Sequence, residues 1–239
     1  MNQPLSFERP LTTVDIAIFG VREGALHVLL VRRQEAADEP YPGQWALPGG
    51  FVDVAQDRDL HACALRKLRE KTGVAAPYLE QLGSWGSATR DPRGWAATHA
   101  YFALLSADHL DIKPGGNAQD TRWFQIDTHR VRESLAFDHA EILKAAVTRL
   151  RDKVEYTSLP VFLMPEEFTL TELQQMYEVV LGRQLEKKAF RTRFMSAELI
   201  EQLPKMKSGA NRPAQLYRLK PRQQLYLFSR PFGSAHSSL

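Results

Sequence analysis

The chain has 239 residues, 44% hydrophobic and 25% charged, ordinary globular values that exclude disordered and fibrous classes. Its length suits two modest domains. The net charge of +3 is unevenly spread: residues 1–154 hold 19 basic and 20 acidic side chains (−1), whereas residues 182–239 hold 12 basic and 3 acidic (+9), either a solvated basic face or the footprint of a polyanion. No apolar run approaches the roughly 18 residues of a membrane span. MNQPLSFERP has no apolar signal core, and the lone Cys63 leaves no intrachain disulfide or thiolate zinc site, so a cytoplasmic protein is expected.

The first half reads as α/β. Val14–Phe19 and Leu26–Val31 are β-rich runs around Glu23-Gly24 and predict a hairpin. A turn-rich loop follows to Gly50. Residues 57–72 predict a helix, with Leu60, Ala64 and Leu68 at four-residue spacing and Gly73 as the stop. Residues 100–105 and 120–126 predict strands. Asp138 is placed as the cap of a further helix with the stripe Ile142, Leu143, Ala146, Val147 and Leu150.

Periodicity is lost between Lys153 and Pro165, giving an expected division into residues 1–154, 155–232 and a disordered tail over 233–239, with the chain already disordered from Arg230. The second unit opens on Thr169-Leu170-Thr171-Glu172, a capping box, with Phe168 and Leu173 placed as a hydrophobic staple. A helix runs from there to Gly182. Residues 186–196 predict a second helix with Ala189, Phe190 and Phe194 inward, and two strands flank residues 207–213. Two helices at a tight turn followed by a hairpin form a winged helix-turn-helix plan. Lys188, Arg191 and Thr192 share one outward face of the second helix, with Lys187 and Arg193 beside them, as a recognition helix needs to reach phosphates and base edges. Lys207, Asn211 and Arg212 of the wing suit backbone contact.

Leu47-Pro48-Gly49-Gly50-Phe51-Val52-Asp53 leads into Arg66-Lys67-Leu68-Arg69-Glu70-Lys71-Thr72-Gly73-Val74. This resembles the Nudix box, G-x5-E-x7-R-E-U-x-E-E-x-G-U with U aliphatic. The resemblance implies a Nudix fold, a mixed sheet between helices, over roughly residues 12–150. The chemistry of such a helix needs carboxylates at i, i+3 and i+4, on one face, to share Mg²⁺ ions. Those positions here hold Lys67, Glu70 and Lys71, so a face of −3 becomes one of +1; the sixth residue after Gly50 is Gln56, and Gly50 to Arg66 is two residues longer than the pattern. A +1 face repels a divalent cation and tolerates a diphosphate. A pocket that binds a nucleoside diphosphate derivative without cutting it, with no metal and no catalytic residue, is therefore expected. Its candidate contacts are Arg32, Gly49, Gly50, Phe51, Arg66, Glu70 and Arg90, with Trp85 as an alternative stacking surface and Arg66 equally suited to hold a nearby acid. Relocated metal ligation through Asp53, Asp57, Asp59 and Glu70 is the rival.

Phe137-Asp138-His139-Ala140-Glu141-Ile142-Leu143, Phe168 to Gln174 with Tyr177-Glu178, and Lys187-Lys188-Ala189-Phe190-Arg191 together resemble the Nudix-related transcriptional regulators, the NrtR family. Ala189 departs from the Asn common there. The resemblance implies a homodimeric repressor of NAD-metabolism genes on palindromic double-stranded DNA, released by ADP-ribose, with no cofactor required. ADP-ribose then favours a dimer geometry in which the recognition helices no longer fit adjacent major grooves. A 100-fold preference for that state corresponds to about 2.7 kcal/mol. The alternatives are an ADP-ribose pyrophosphatase with non-standard metal ligands, a regulator of sugar catabolism with another phosphorylated effector, and a ligand sensor whose winged helix binds protein.

Overall fold

A computed structural model describes residues 9–73, 76, 78–106, 120–208, 213–220 and 225–232. The expected hairpin forms from β1 (Leu11–Arg22) and β2 (Ala25–Arg32), antiparallel with Ile18 opposite Leu29. Two short strands follow, β3 (Trp45–Ala46) and β4 (Gly49–Phe51), then β5 (Tyr78–Ser87), β6 (Ala96–Leu104) and β7 (Asp120–Gln125). The sheet runs β3-β2-β1-β6-β5, with β4 also paired to β1 and β7 to β2. β1 and β6 are parallel and all other pairs antiparallel, a mixed sheet as expected. β5 is the one long strand the sequence reading missed; the short β3 and β4 lie in what was expected to be loop up to Gly50 and just beyond it.

Alternation along β1 divides the core between two helices. Ile16 and Ile18 face α1 (Leu60–Thr72), packing with Cys63, Ala64 and Leu68. Ala17 and Phe19 face α2 (His139–Tyr156), joining Ile142, Leu143, Ala146, Val147 and Leu150. α1 is capped by Asp59, which accepts from Ala62 N, and ends at Gly73 in the left-handed region at φ 71°. Asp138 precedes α2, but its side chain makes no cap bond, because Arg90 holds both its oxygens. That corrects its expected capping role.

A buried 3-10 helix, Leu159–Leu163, leads from α2 into the winged helix. There β8 (Phe168–Thr169), α3 (Leu170–Leu181), α4 (Lys187–Ser196), β9 (Ile200–Lys207) and β10 (Ala214–Leu219) follow, with sheet order β8-β10-β9. The capping box is present: Glu172 N donates to Thr169 Oγ1 at 3.2 Å and Thr169 N to Glu172 Oε2 at 2.8 Å. Phe168 and Leu173 are buried in one cluster, where the staple was expected. Tyr177 centres this core, edge-on to Phe190 at 5.3 Å and Phe194 at 5.4 Å.

The two domains share one continuous apolar cluster, from Ala17 and Phe19 to Tyr177 and Phe194. Polar contacts cross the junction: Tyr177 OH donates to Thr157 O at 2.8 Å and Arg151 Nε to Val180 O at 3.1 Å. Among the described residues no helix is long and apolar enough to cross a membrane.

Candidate functional site

β1, β2, β4 and the start of α2 converge on a cavity of about 200 Å³. It is lined by the predicted Arg32, Gly49, Gly50, Phe51 and Arg90, and by Arg33, Lys71, Arg93, Asp15, Glu39, Asp91 and His139, which sequence reading did not select. Five cations against three carboxylates give these walls a formal +2. The volume lies below the ~300–1,000 Å³ of pockets that enclose drug-sized ligands. A nucleotide sugar would thus occupy the cavity and its open mouth together.

The floor is a buried polar cluster. Arg90 binds Asp138 in two-pronged fashion, Nε to Oδ2 at 2.8 Å and Nη2 to Oδ1 at 2.7 Å, and lies 3.7 Å from Asp15 Oδ2. His139 Nδ1 accepts from Leu47 N at 2.9 Å, leaving a neutral ring's proton on Nε2, 3.5 Å from Asp15 Oδ2. Burial pushes the Asp15 carboxyl up, yet hydrogen bonds from His139 and Thr98 and the charge of Arg90 hold it below the usual carboxylate value. Burial also opposes the charge on Arg90, but Asp138, Asp15 and Asp91 outweigh it and raise its pKa.

The glycines have separate reasons. A Cβ on Gly49 would sit 2.2 Å from Asp15 Oδ1 and 2.3 Å from Val14 O, so only glycine lets β4 close against β1. Gly50 lies at φ 148°, and a Cβ there would meet Lys67 Cε and Nζ at 3.2 Å. Lys67 thus reaches from α1 to the Gly50 backbone. Arg93 lies over the Phe51 ring at 5.0 Å and is fixed by Asp91 at 2.8 Å. Arg33 lies over Phe137 at 4.9 Å, and Phe137 itself sits in the left-handed region at φ 54°.

Arg66 and Glu70, expected as effector contacts, do not line the cavity. Arg66 holds Asp57 through Nε–Oδ1 at 2.7 Å and Nη2–Oδ2 at 2.5 Å, and Glu70 through Nη1 at 2.8 Å. Asp57 is therefore the acid that counting from Gly50 did not find, and Arg66 serves in its alternative, structural role. Hydrogen bonds from Arg66 hold the Asp57 carboxyl far below the usual range. Glu70 also meets Lys67 at 3.3 Å. Asp53 accepts from Ala55 N at 3.0 Å, and Asp59 caps α1. All four acids proposed for relocated ligation have such protein partners; among the described residues no three His, Cys, Asp or Glu side chains form a metal-holding group. Trp85 is not in the cavity and packs on the apolar cluster facing α2.

In the winged helix, Glu186 caps α4 by accepting from Lys188 N and Ala189 N. Phe190 and Phe194 are buried, whereas Lys187, Lys188, Arg191 and Thr192 are exposed. Ala189 is exposed too, not inward as expected. Arg193 departs further from its expected role as a DNA contact. Its guanidinium lies 4.2 Å from the Phe228 ring centre and 3.9 Å from that of Phe232 and donates to Arg230 O; Phe232 is buried and Arg230 exposed but held through its carbonyl, where disorder from Arg230 was expected. Lys207 pairs with Glu172 at 2.5 Å. Asn211, Arg212 and residues 233–239 lie outside the described residues.

A cationic recess in the mixed-sheet domain and an exposed basic helix in the other define a class, a Nudix-fold domain joined to a winged helix. The NUDIX domain model matches residues 11–146, and the NrtR DNA-binding winged helix domain model matches residues 160–219. The chain belongs to the NrtR family. It is 48% identical over 218 residues to the ADPR-responsive transcriptional repressor NtrR of Acinetobacter baylyi, covering 90% of this chain and 84% of that protein. Shewanella oneidensis NrtR complexed with a 27mer DNA superposes with a TM-score of 0.81 at 38% identity, over 93% of this chain and 99% of that one. The NUDIX domain of Shewanella oneidensis NrtR complexed with ADP ribose matches with a TM-score of 0.55 at 40% identity, over 62% of this chain and 94% of that one.

Proposed function

We propose that the chain is a DNA-binding transcriptional repressor whose Nudix domain receives ADP-ribose and, on doing so, releases DNA. The observation that carries this reading is the pairing, across one continuous core, of the +2 cavity with the exposed Lys187, Lys188, Arg191 and Thr192 face of α4. Arg32, Arg33, Lys71, Arg90 and Arg93 supply donors for a diphosphate, and Phe51 a face for the base. Gly50 leaves backbone room beside Lys67. The 48% identical repressor and the two Shewanella complexes support DNA and ADP-ribose as the partners.

The Nudix domain is a sensor and not a hydrolase. The helix face that would carry three carboxylates carries Lys67, Glu70 and Lys71, and Glu70 is held by Arg66 and Lys67. Burial, then the charge of Lys67, lowers the pKa of Lys71. The working unit is a homodimer on a palindromic operator, and genes of NAD metabolism are the expected targets.

The test is selection of genomic DNA fragments by the purified chain, eluted with ADP-ribose in metal-free buffer. Discrete palindromic fragments released by ADP-ribose are expected. Absence of specific fragments, or Mg²⁺-dependent release of AMP from ADP-ribose near ~1 s⁻¹ or faster, an ordinary enzyme turnover, would overturn it.

A further inference from the structure

Residues 225–232 lie beyond the winged-helix match, which ends at residue 219, yet they complete that domain's core. Their backbone pairs with the end of α2. Phe228 N donates to Tyr156 O at 2.8 Å, Phe232 N to Glu155 O at 2.7 Å, and Ser158 N to Tyr226 O at 3.0 Å. Their side chains face the recognition helix: Phe232 stacks on Phe190 at 5.9 Å, Phe228 meets Phe194 at 5.4 Å, and both rings enclose the Arg193 guanidinium. Arg183 closes the other side, its Nη2 bonding both Glu155 oxygens at 2.8 Å and Phe232 O at 3.1 Å. One eight-residue segment thus touches the last turn of α2, the turn after α3, and α4.

We propose that residues 225–232 are a coupling strap that fixes recognition helix α4 to the C-terminal end of α2, with Phe232 and Arg193 as its positioning residues. α2 begins at the cavity, with His139 on its floor, and ends at the strap. Packed interiors are bistable and not continuously deformable, so a shift of α2 passes to whatever is rigidly fastened to it. Tyr177 of α3 meets Phe190 and Phe194 and bonds Thr157 O at the end of α2, and the strap adds a second tie that runs from the α2 backbone to α4 without passing through α3. Arg193 is then a basic residue of the recognition helix that faces the protein and sets the helix's angle.

The inference rests on the regulator reading, and the experiment separates the two. In the full chain, spin labels on Thr148→Cys of α2 and Met195→Cys of α4, both exposed positions, report the distance between the helices. Phe232→Leu keeps apolar bulk while removing the ring over Arg193; Arg193→Lys keeps charge while losing the planar stack. Each is expected to broaden the distance distribution. The ratio of operator Kd with and without saturating ADP-ribose should fall about tenfold toward 1, while ADP-ribose Kd without DNA stays within about twofold. By reciprocity, DNA should cease to weaken ADP-ribose binding to the same degree. An unchanged distance distribution, or an unchanged ratio in folded variants, overturns the strap. Failure of the unsubstituted chain to bind DNA or to answer ADP-ribose overturns the regulator reading, and the distance distribution still decides the strap.

Discussion

Arg90 and Asp138 form a two-pronged ion pair that fastens the turn after β5 to the residue in front of α2. Arg90 is buried and Asp138 part-buried, with side-chain exposures of 5% and 18%, and the buried Asp15 lies behind them. The cavity floor and the start of the long helix are therefore one electrostatic unit. A phosphate that draws on Arg90 also bears on how α2 is held.

Arg90→Ala should be strongly destabilising because it leaves Asp15 and Asp138 buried without their cation. Loss of one partner of a buried pair costs about 3–5 kcal/mol. Urea denaturation at neutral pH measures it; a loss under about 1 kcal/mol would mean that water replaces the guanidinium at no great cost.

Arg191→Ala should weaken operator binding by about 1–3 kcal/mol, the range for a side chain reading a base edge. ADP-ribose binding should be spared, since Arg191 is exposed on α4 and does not line the cavity. Operator titration and calorimetry with ADP-ribose check the two halves. Unchanged operator affinity would remove this face of α4 from the DNA contact.

Asp57 sets a pH dependence through its bond to Arg66. The folded carboxyl titrates below its unfolded value of about 3.9, so its contribution is fully present above about pH 4 and is lost as pH falls further. Urea midpoints of the parent chain and Asp57→Asn should differ most near neutrality, and the gap should begin to narrow below about pH 4. A gap that widened on acidification would contradict the assignment.

Cys63 is fully buried beneath α1, and burial together with Asp57 pushes its thiol up to about 12. The thiolate is the reactive form, so at pH 8 about one molecule in ten thousand carries it. Alkylation of the folded chain should be negligible over an hour and stoichiometric in denaturant. Rapid labelling of the native chain would place the thiol in a more open setting.

Much of the fold was legible in local signals. The hairpin, the helix stop at Gly73 and the capping box at Thr169 rest on residues within a few positions of one another, where spacing carries the physics. β5 was not legible, because its ladder shifts register between Gln81 and Gly83. Leu82 and Trp85, an odd number apart, therefore pack on the same cluster, and the two-residue period is lost. Asp15 and His139 were missed because they meet only after the sheet has formed. Which acid Arg66 holds was not legible, because Asp57 lies nine residues upstream in an irregular turn. The strap reads in sequence as a short apolar run, LYLFSRPF, too brief to show a helix or strand period; only α2 and α4 together give Phe228 and Phe232 a surface to cover.

Glu172 serves two elements at once: one oxygen caps α3 through Thr169 N, and the other holds Lys207 at the root of the wing. The wing's lysine therefore comes to a polyanion with its charge already matched from within. Moving it to a phosphate exposes a carboxylate, which attracts a cation back as the duplex sheds one. Its net contribution to ion release is close to nil. Glu172→Gln keeps the cap, since glutamine fills the same place in a capping box. It should steepen the logarithmic dependence of operator affinity on salt by about 0.9, the value of one additional phosphate neutralised.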